Sequence, residues 1–362
     1  MSPRKSRPTR DLTRRDFLRK AGAASAVGAL AGTAMPVYAQ AREQIVLIDW
    51  GAAYHQFFAG EFKAAFEKKY ACDLVIQSMG TAEKNARLLA EAERPTMHVV
   101  MVEPMFCAKL ATMDIVARIT PNECPNLKNL FPVVQNFFGG VGVPHGIVAR
   151  GIAYNHDKVK GVPTWETMWQ PEYRGKVGGP AHGSEEMSMQ FLTAASLMAG
   201  GSVTDLEPGW AKLREFKKQS PVWWSTNAVR NQYQQRGDLW MTVSSNGHTY
   251  ALTDRGVPLS FALPKDQSFL SGSALVVPKA VGQSKLEFAY KLMDMIISDE
   301  WQAKAAPSTF WAPVVQGIKL ETEVARRTAS AEVGTLKMLD YTNIIANLDK
   351  LAERYRDQVV SN

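Results

Sequence analysis

The amino-acid sequence predicts an α/β protein of two lobes, each a sheet flanked by helices, with a cleft between them. Short apolar runs of strand type alternate with apolar stripes at helical spacing, and no hairpin signal separates the runs. That pattern argues for parallel strands with helices on the sheet faces. The pattern occurs twice along the chain, and the length beyond the N-terminal leader exceeds what one hydrophobic core usually serves.

The first unit opens with a strand at residues 45–48. Phe58, Phe62, Ala65 and Phe66 then recur at helical spacing, and a second strand follows at 74–76. A turn at 78–81 leads into a helix marked by Ala86, Leu89 and Ala90, and a third strand occupies 99–102. The second unit holds a strand at 147–154, a brief strand and turn at 176–180, and a helix striped by Met187, Phe191, Ala194 and Met198. Another helix carries Trp210, Leu213 and Phe216, before strands at 239–243 and 257–263. A strand at 274–278 returns to the first lobe, and the rest reads as helical: Ser284 and Glu287 have capping-box spacing, and a later helix covers 343–356. The expected division is 1–41 leader, 42–150 first lobe, 151–263 second lobe, and 264–362 return to the first lobe with C-terminal helices.

Residues 1–20 are basic and contain Arg14-Arg15-Asp16-Phe17-Leu18; residues 21–35 are small and apolar; Ala39-Gln40-Ala41 follows Pro36. These three regions make a signal peptide that resembles the twin-arginine type. Cleavage is expected near Ala41, with a periplasmic mature protein and the twin-arginine translocase as an export partner. A membrane anchor is the alternative, but the apolar run is shorter than the ~20 residues a span needs. The leader's eight Lys or Arg and two Asp account for six of the seven net positive charges, so the remainder is near +1. The basicity therefore gives no reason to expect nucleic acid.

Cys72, Cys107 and Cys124 match neither a CxxC pair nor a zinc ribbon; they read as buried thiols, with one disulfide as the alternative. The six histidines are scattered, and no GxSxG, Walker loop or strand-following GxGxxG is present. No metal, cofactor or catalytic centre is expected.

Ligands of open α/β sheets sit beyond the carboxyl ends of the strands. Here those ends supply Trp50, Ser78 with Thr81, Glu103, Glu185, and Ser244-Ser245-Asn246. Trp224 and Asn227 join them from a polar segment in which adjacent tryptophans suggest a cleft-facing ring. The set suits a small polar solute. Ser78 and Thr81 read equally as helix caps, Trp50 as core, and Glu185 or Glu186 as complements to a helix dipole.

The segments 151–177 (GIAYN…VPTWETMWQPEYRGKV) and 256–296 (GVPL…ALPK…VPKA…FAYKLMDMI) resemble the extracellular solute-binding proteins of ABC importers, in particular the spermidine/putrescine-binding branch. The resemblance implies the type II, Venus-flytrap form of the two-lobed fold and a monomer without catalytic activity. It also implies a small-molecule solute captured by lobe closure and passed to membrane permease and ATPase subunits. It places Trp50 as a pocket aromatic, Glu103 at a polar strand end, and Glu185 or Glu186 among amine-binding acids. A polyamine or another amine-containing solute is favoured. Ser245 stands where that branch has an aromatic before Asn-Gly, which suits an anionic or zwitterionic solute instead. The remaining alternatives are a periplasmic cofactor enzyme exported folded and a sensor subunit with the same fold.

Overall fold

The three apolar runs of the first unit become β1 (Gln44–Asp49), β2 (Asp73–Ser78) and β3 (Val99–Val102), with β1 parallel to both neighbours. The computed structural model describes residues 42–135, 140–183, 185–265 and 267–361. The leader and Ser184 lie outside the described residues. Between β1 and β2, α1 (Ala52–Phe57) runs through a π turn at Phe58–Phe62 into α2 (Lys63–Tyr70). Phe58, Phe62 and Phe66 are all buried, although the helix kinks at Gly60 between the first two. Next come α3 (Thr81–Ala90), α4 (Pro104–Ala111) and the short α5 (Pro132–Gln135).

The joint between the two units is β4 (Val143–Asn155). Its first part, up to Arg150, pairs antiparallel with β9 (Phe269–Val276). Its last part pairs with β7 (Met241–Ser245) and β8 (Leu259–Ala262). At Gly151 a Cβ would stand 2.2 Å from the Ala262 carbonyl oxygen, so the close approach of β8 requires glycine there. β9 pairs with β3 as well, and β5 (Val177–Pro180) lies parallel to β7 and to β6 (Val222–Trp224). One sheet results, in the order β2-β1-β3-β9-β4-β7-β5-β6 with β8 on β4. Each unit thus keeps the parallel strands its pattern predicts, but the sheet as a whole is mixed, because the crossing strands enter antiparallel.

The second unit's helices are α6 (Glu186–Met198), α7 (Glu207–Gln219), α8 (Asn227–Gln235) and α9 (Asn246–Thr253). Trp165, Phe191 and Phe216 are fully buried among them, each fully buried aromatic contributing about 2–3 kcal/mol of transfer free energy. The C-terminal part adds α10 (Gln283–Ile296), α11 (Asp299–Thr309), α12 (Thr322–Thr328), α13 (Tyr341–Ala346) and α14 (Leu348–Tyr355).

The Trp223-Trp224 segment, for which the sequence predicts no strand, is part of strand β6. Two local expectations fail. The capping box does not form: Gly282 is the N-cap, Ser284 lies inside the helix, and Glu287 instead accepts from Lys291 Nζ at 2.6 Å. The helix expected over 343–356 is two helices divided at Asn347. The three cysteines are free and buried, and burial pushes the Cys72 thiol up to about 11. Among the described residues no helix is long and apolar enough to cross a membrane.

Candidate functional site

The carboxyl ends of β3, β5 and β6 open on one cavity of about 470 Å³. The first unit supplies Thr81 and Asn85 from the start of α3, and Glu103, Met105, Phe106 and Lys109 from the end of β3 and from α4. Arg150 enters from the point where β4 changes partners. Glu185, Glu186 and Met187 follow β5, while Trp224, Ser225, Thr226 and Asn227 follow β6; Ile345 and Leu348 of α13 and α14 close one side.

Both signs of charge occur on the wall. Glu103 holds the N-cap position of α4, yet its side chain makes no cap bond, and its Oε2 is buried without a partner. Glu185 sits at the N-cap of α6. Lost hydration raises its carboxyl, His182 and Arg150 counter the rise, and the Glu103 charge adds to it. Glu186 is buried and accepts from Ser271 Oγ at 2.6 Å and from the Tyr341 hydroxyl. Arg150 Nη2 lies 3.9 Å from Glu186 and donates to Ser271 Oγ at 3.4 Å. Its Nε and Nη1 are buried without partners.

Behind this wall stand two more cations. Lys84 on α3 is fully buried, with Nζ 2.9 Å from the centre of the Trp50 ring. Burial pulls its ammonium down to about 7, against the holding charges of Glu103 and Asp49. Arg230 on α8 is also fully buried, with its guanidinium 5.3 Å from the centre of the Trp224 ring.

Of the sequence-derived site residues, Thr81, Glu103, Glu185, Trp224 and Asn227 come together on the cavity wall. Trp50, Ser78, Ser244, Ser245 and Asn246 do not. The Trp50 ring is engaged by the chain's own Lys84. Ser78 Oγ donates to Asp49 Oδ1 at 2.6 Å, closing a network at the end of β1 that also includes His55. Ser245 caps α9, accepting from His248 N, and Ser244 is buried against Thr249. Asn246 accepts from Ala149 N and donates to the carbonyls of Phe310 and Arg327. The end of β7 is therefore consumed in capping α9 and, through Asn246, in fastening the C-terminal segment.

Sequence reasoning missed Arg150, Lys84 and Arg230. Arg150 had a signal, a cation within an otherwise apolar strand pattern. Lys84 and Arg230 had none, because a basic residue on a helix ordinarily faces water. Among the described residues no cluster of metal-ligating side chains occurs.

A family model described as bacterial extracellular solute-binding protein matches residues 61–332. The chain is 24% identical over 268 residues to the spermidine/putrescine-binding periplasmic protein of Escherichia coli (strain K12), a match covering 71% of this chain and 75% of the relative. The structure of an ABC transporter substrate-binding protein from Bradyrhizobium japonicum USDA 110 aligns with a TM-score of 0.75 at 19% identity, over 88% of this chain and 100% of that one. A GABA receptor structure aligns with a TM-score of 0.73 at 20% identity, over 88% and 98% of the two chains. The last two likenesses are likenesses of fold.

Proposed function

The chain belongs to the bacterial extracellular solute-binding protein family, and from this premise we propose that it captures an amine-bearing solute in the cavity beyond β3, β5 and β6. As a member of that family it is the solute-binding component of an ABC transporter, not an enzyme, and works with permease and ATPase subunits.

The observation that carries the amine reading is Glu103: a carboxylate oxygen buried without a partner at a cavity wall. A buried carboxylate lacking a donor is costly, and a ligand ammonium supplies both charge and hydrogen bonds. Glu185 lies close enough for the two acids to act on one another, giving the ammonium a second acceptor. The relative from Escherichia coli is named for two amines and the structural neighbour for an amino acid, which supports the same end of the ligand.

Capture proceeds by closure of one lobe on the other. Contacts from both units favour the closed form, which the permease recognises. The lobes divide near residues 150 and 263 in this reading, supported by the change of partner in β4 at Arg150. Export by the twin-arginine translocase, cleavage near Ala41 and a monomeric periplasmic protein belong to the same proposal, and the leader sequence supports the first two.

The test is calorimetric titration of the purified mature protein with butane-1,4-diamine, spermidine and 4-aminobutanoate. Glu103→Gln keeps the shape and removes the charge, so affinity for whichever amine binds should fall roughly tenfold or more, as expected for a charge-assisted hydrogen bond. Unchanged amine affinity in the folded variant would refute the assignment.

A further inference from the structure

The second unit carries a buried positive charge that the chain itself leaves without a counter-charge. Ser225, Thr226 and Asn227 bring the N-terminus of the nine-residue helix α8 to the cavity. The Thr226 hydroxyl accepts from Val229 N, so of the first-turn N–H groups those of Asn227 and Ala228 are the ones without intrahelical acceptors. Arg230 follows within the first turn and is fully buried. Its Nη2 donates to Asn231 Oδ1 at 3.2 Å, its Nη1 lies 3.9 Å from Met187 Sδ, and its Nε has no partner. Among the described residues no carboxylate forms an ion pair with it, and the nearby charge acting on it is that of Arg150.

The guanidinium is placed by what it touches. Met187 and Trp224, which it contacts, are cavity walls, and so is Arg150. Arg150 itself keeps Nε and Nη1 unpartnered on the wall, and Arg230, in contact with the wall residues Met187 and Trp224, adds its charge from behind them. The surplus continues along both helices. Gln234, one turn beyond Arg230, has a buried amide nitrogen without an acceptor, and Gln190, one turn beyond Met187, has both its amide nitrogen and its amide oxygen buried without partners. Burial and the Arg150 charge pull the Arg230 guanidinium down to about 9, and burial with the charges of the two arginines lowers the His248 imidazole well below its ordinary range. A buried cation without a counter-charge is costly, and an oxyanion supplies the charge and the acceptors it lacks. A planar carboxylate matches the guanidinium fork, and a helix N-terminus favours negative charge.

We propose that the solute carries a carboxylate as well as its amine, the carboxylate entering between the N-terminus of α8 and the Arg150 and Arg230 guanidinium groups. The inference rests on the reading of the cavity as an amine-capture site, with Glu103 and Glu185 at the ammonium and the arginines at the acid. The preferred substrate class is then an amino acid-like zwitterion, and a polyamine would meet uncompensated positive charge at one end.

Three four-carbon probes separate the possibilities by titration into the purified mature protein: butane-1,4-diamine, 4-aminobutanoate and butanoate. The expected result is that 4-aminobutanoate binds at least tenfold tighter than the diamine. Arg230→Met should abolish that preference while leaving the thermal midpoint of the unliganded protein no lower, because it removes an uncompensated charge; Arg230→Lys should retain part of the preference. Binding of butanoate alone would keep the acid subsite and sink the amine reading. Equal or tighter binding of the diamine overturns the acid subsite and leaves the amine reading standing, and binding of none of the three overturns the proposal. If Arg230→Met fails to fold, Arg230 is structural, and the probe order on the wild-type protein still decides.

Discussion

Lys84 makes the stability of this protein depend on pH in a range where few other groups titrate. Its ammonium is fully buried over the Trp50 ring and has no hydrogen-bond acceptor. Burial brings its pKa to about 7, whereas in the unfolded chain it returns to about 10.4. A base with a depressed folded pKa binds fewer protons when folded, so stability rises with pH between those two values. From pH 7 to 8.5 the folded lysine passes from half protonated to nearly neutral while the unfolded one stays charged. The gain is about 1.5 kcal/mol, from 1.36 kcal/mol per unit. Toward the top of the window the buried thiols, raised by lost hydration, act with the opposite sign in the wild type and in a Lys84 variant alike, so the lysine contribution is the difference between the two proteins. Lys84→Met removes the titrating group and keeps the apolar stem. Urea denaturation of both proteins at half-unit intervals from pH 7 to 8.5 reads the difference: the stability of the wild type relative to the variant should rise by about 1.5 kcal/mol across the window. A variant curve rising in parallel with the wild type would refute the placement of Lys84.

Two other outcomes follow from the same structure. His98 Nδ1 accepts from Val46 N at 3.0 Å, and burial with the Lys285 charge brings its pKa to about 4. The unfolded chain takes up a proton that the folded one refuses, so stability should fall by up to about 3 kcal/mol as pH drops from 6.5 to 4, and His98→Gln should reduce that slope in guanidinium denaturation. Asn246→Ala breaks three hydrogen bonds that tie β4, α9 and the C-terminal segment together. It should cost about 2–4 kcal/mol in chemical denaturation while leaving solute affinity of the folded fraction unchanged; a large loss of affinity at unchanged stability would return Asn246 to the binding site.

The element types were legible because they are local. An apolar run such as 99–102 or a four-residue repeat such as Phe58, Phe62 and Phe66 states its own period, and that period fixes which face is buried. The strand-end rule then brought Thr81, Glu103 and Glu185 to the cavity, and the adjacent tryptophans of a polar segment brought Trp224 and Asn227. The strand-end rule also nominated Ser244, Ser245 and Asn246, and there the tertiary structure decided otherwise. The C-terminal segment returns over the end of β7 and takes the Asn246 amide for the carbonyls of Phe310 and Arg327, a packing event far along the chain that no local pattern encodes, while Ser244 and Ser245 are spent on the first turn of α9. The charge of the site was hidden for the same reason. Lys84 and Arg230 look like solvent-facing helix residues in the sequence, and only the packing of α3 on Trp50 and of α8 on Trp224 takes them out of water. A basic side chain becomes informative about a ligand when its surroundings remove solvent without supplying a counter-charge, and those surroundings come from strands and helices distant in sequence.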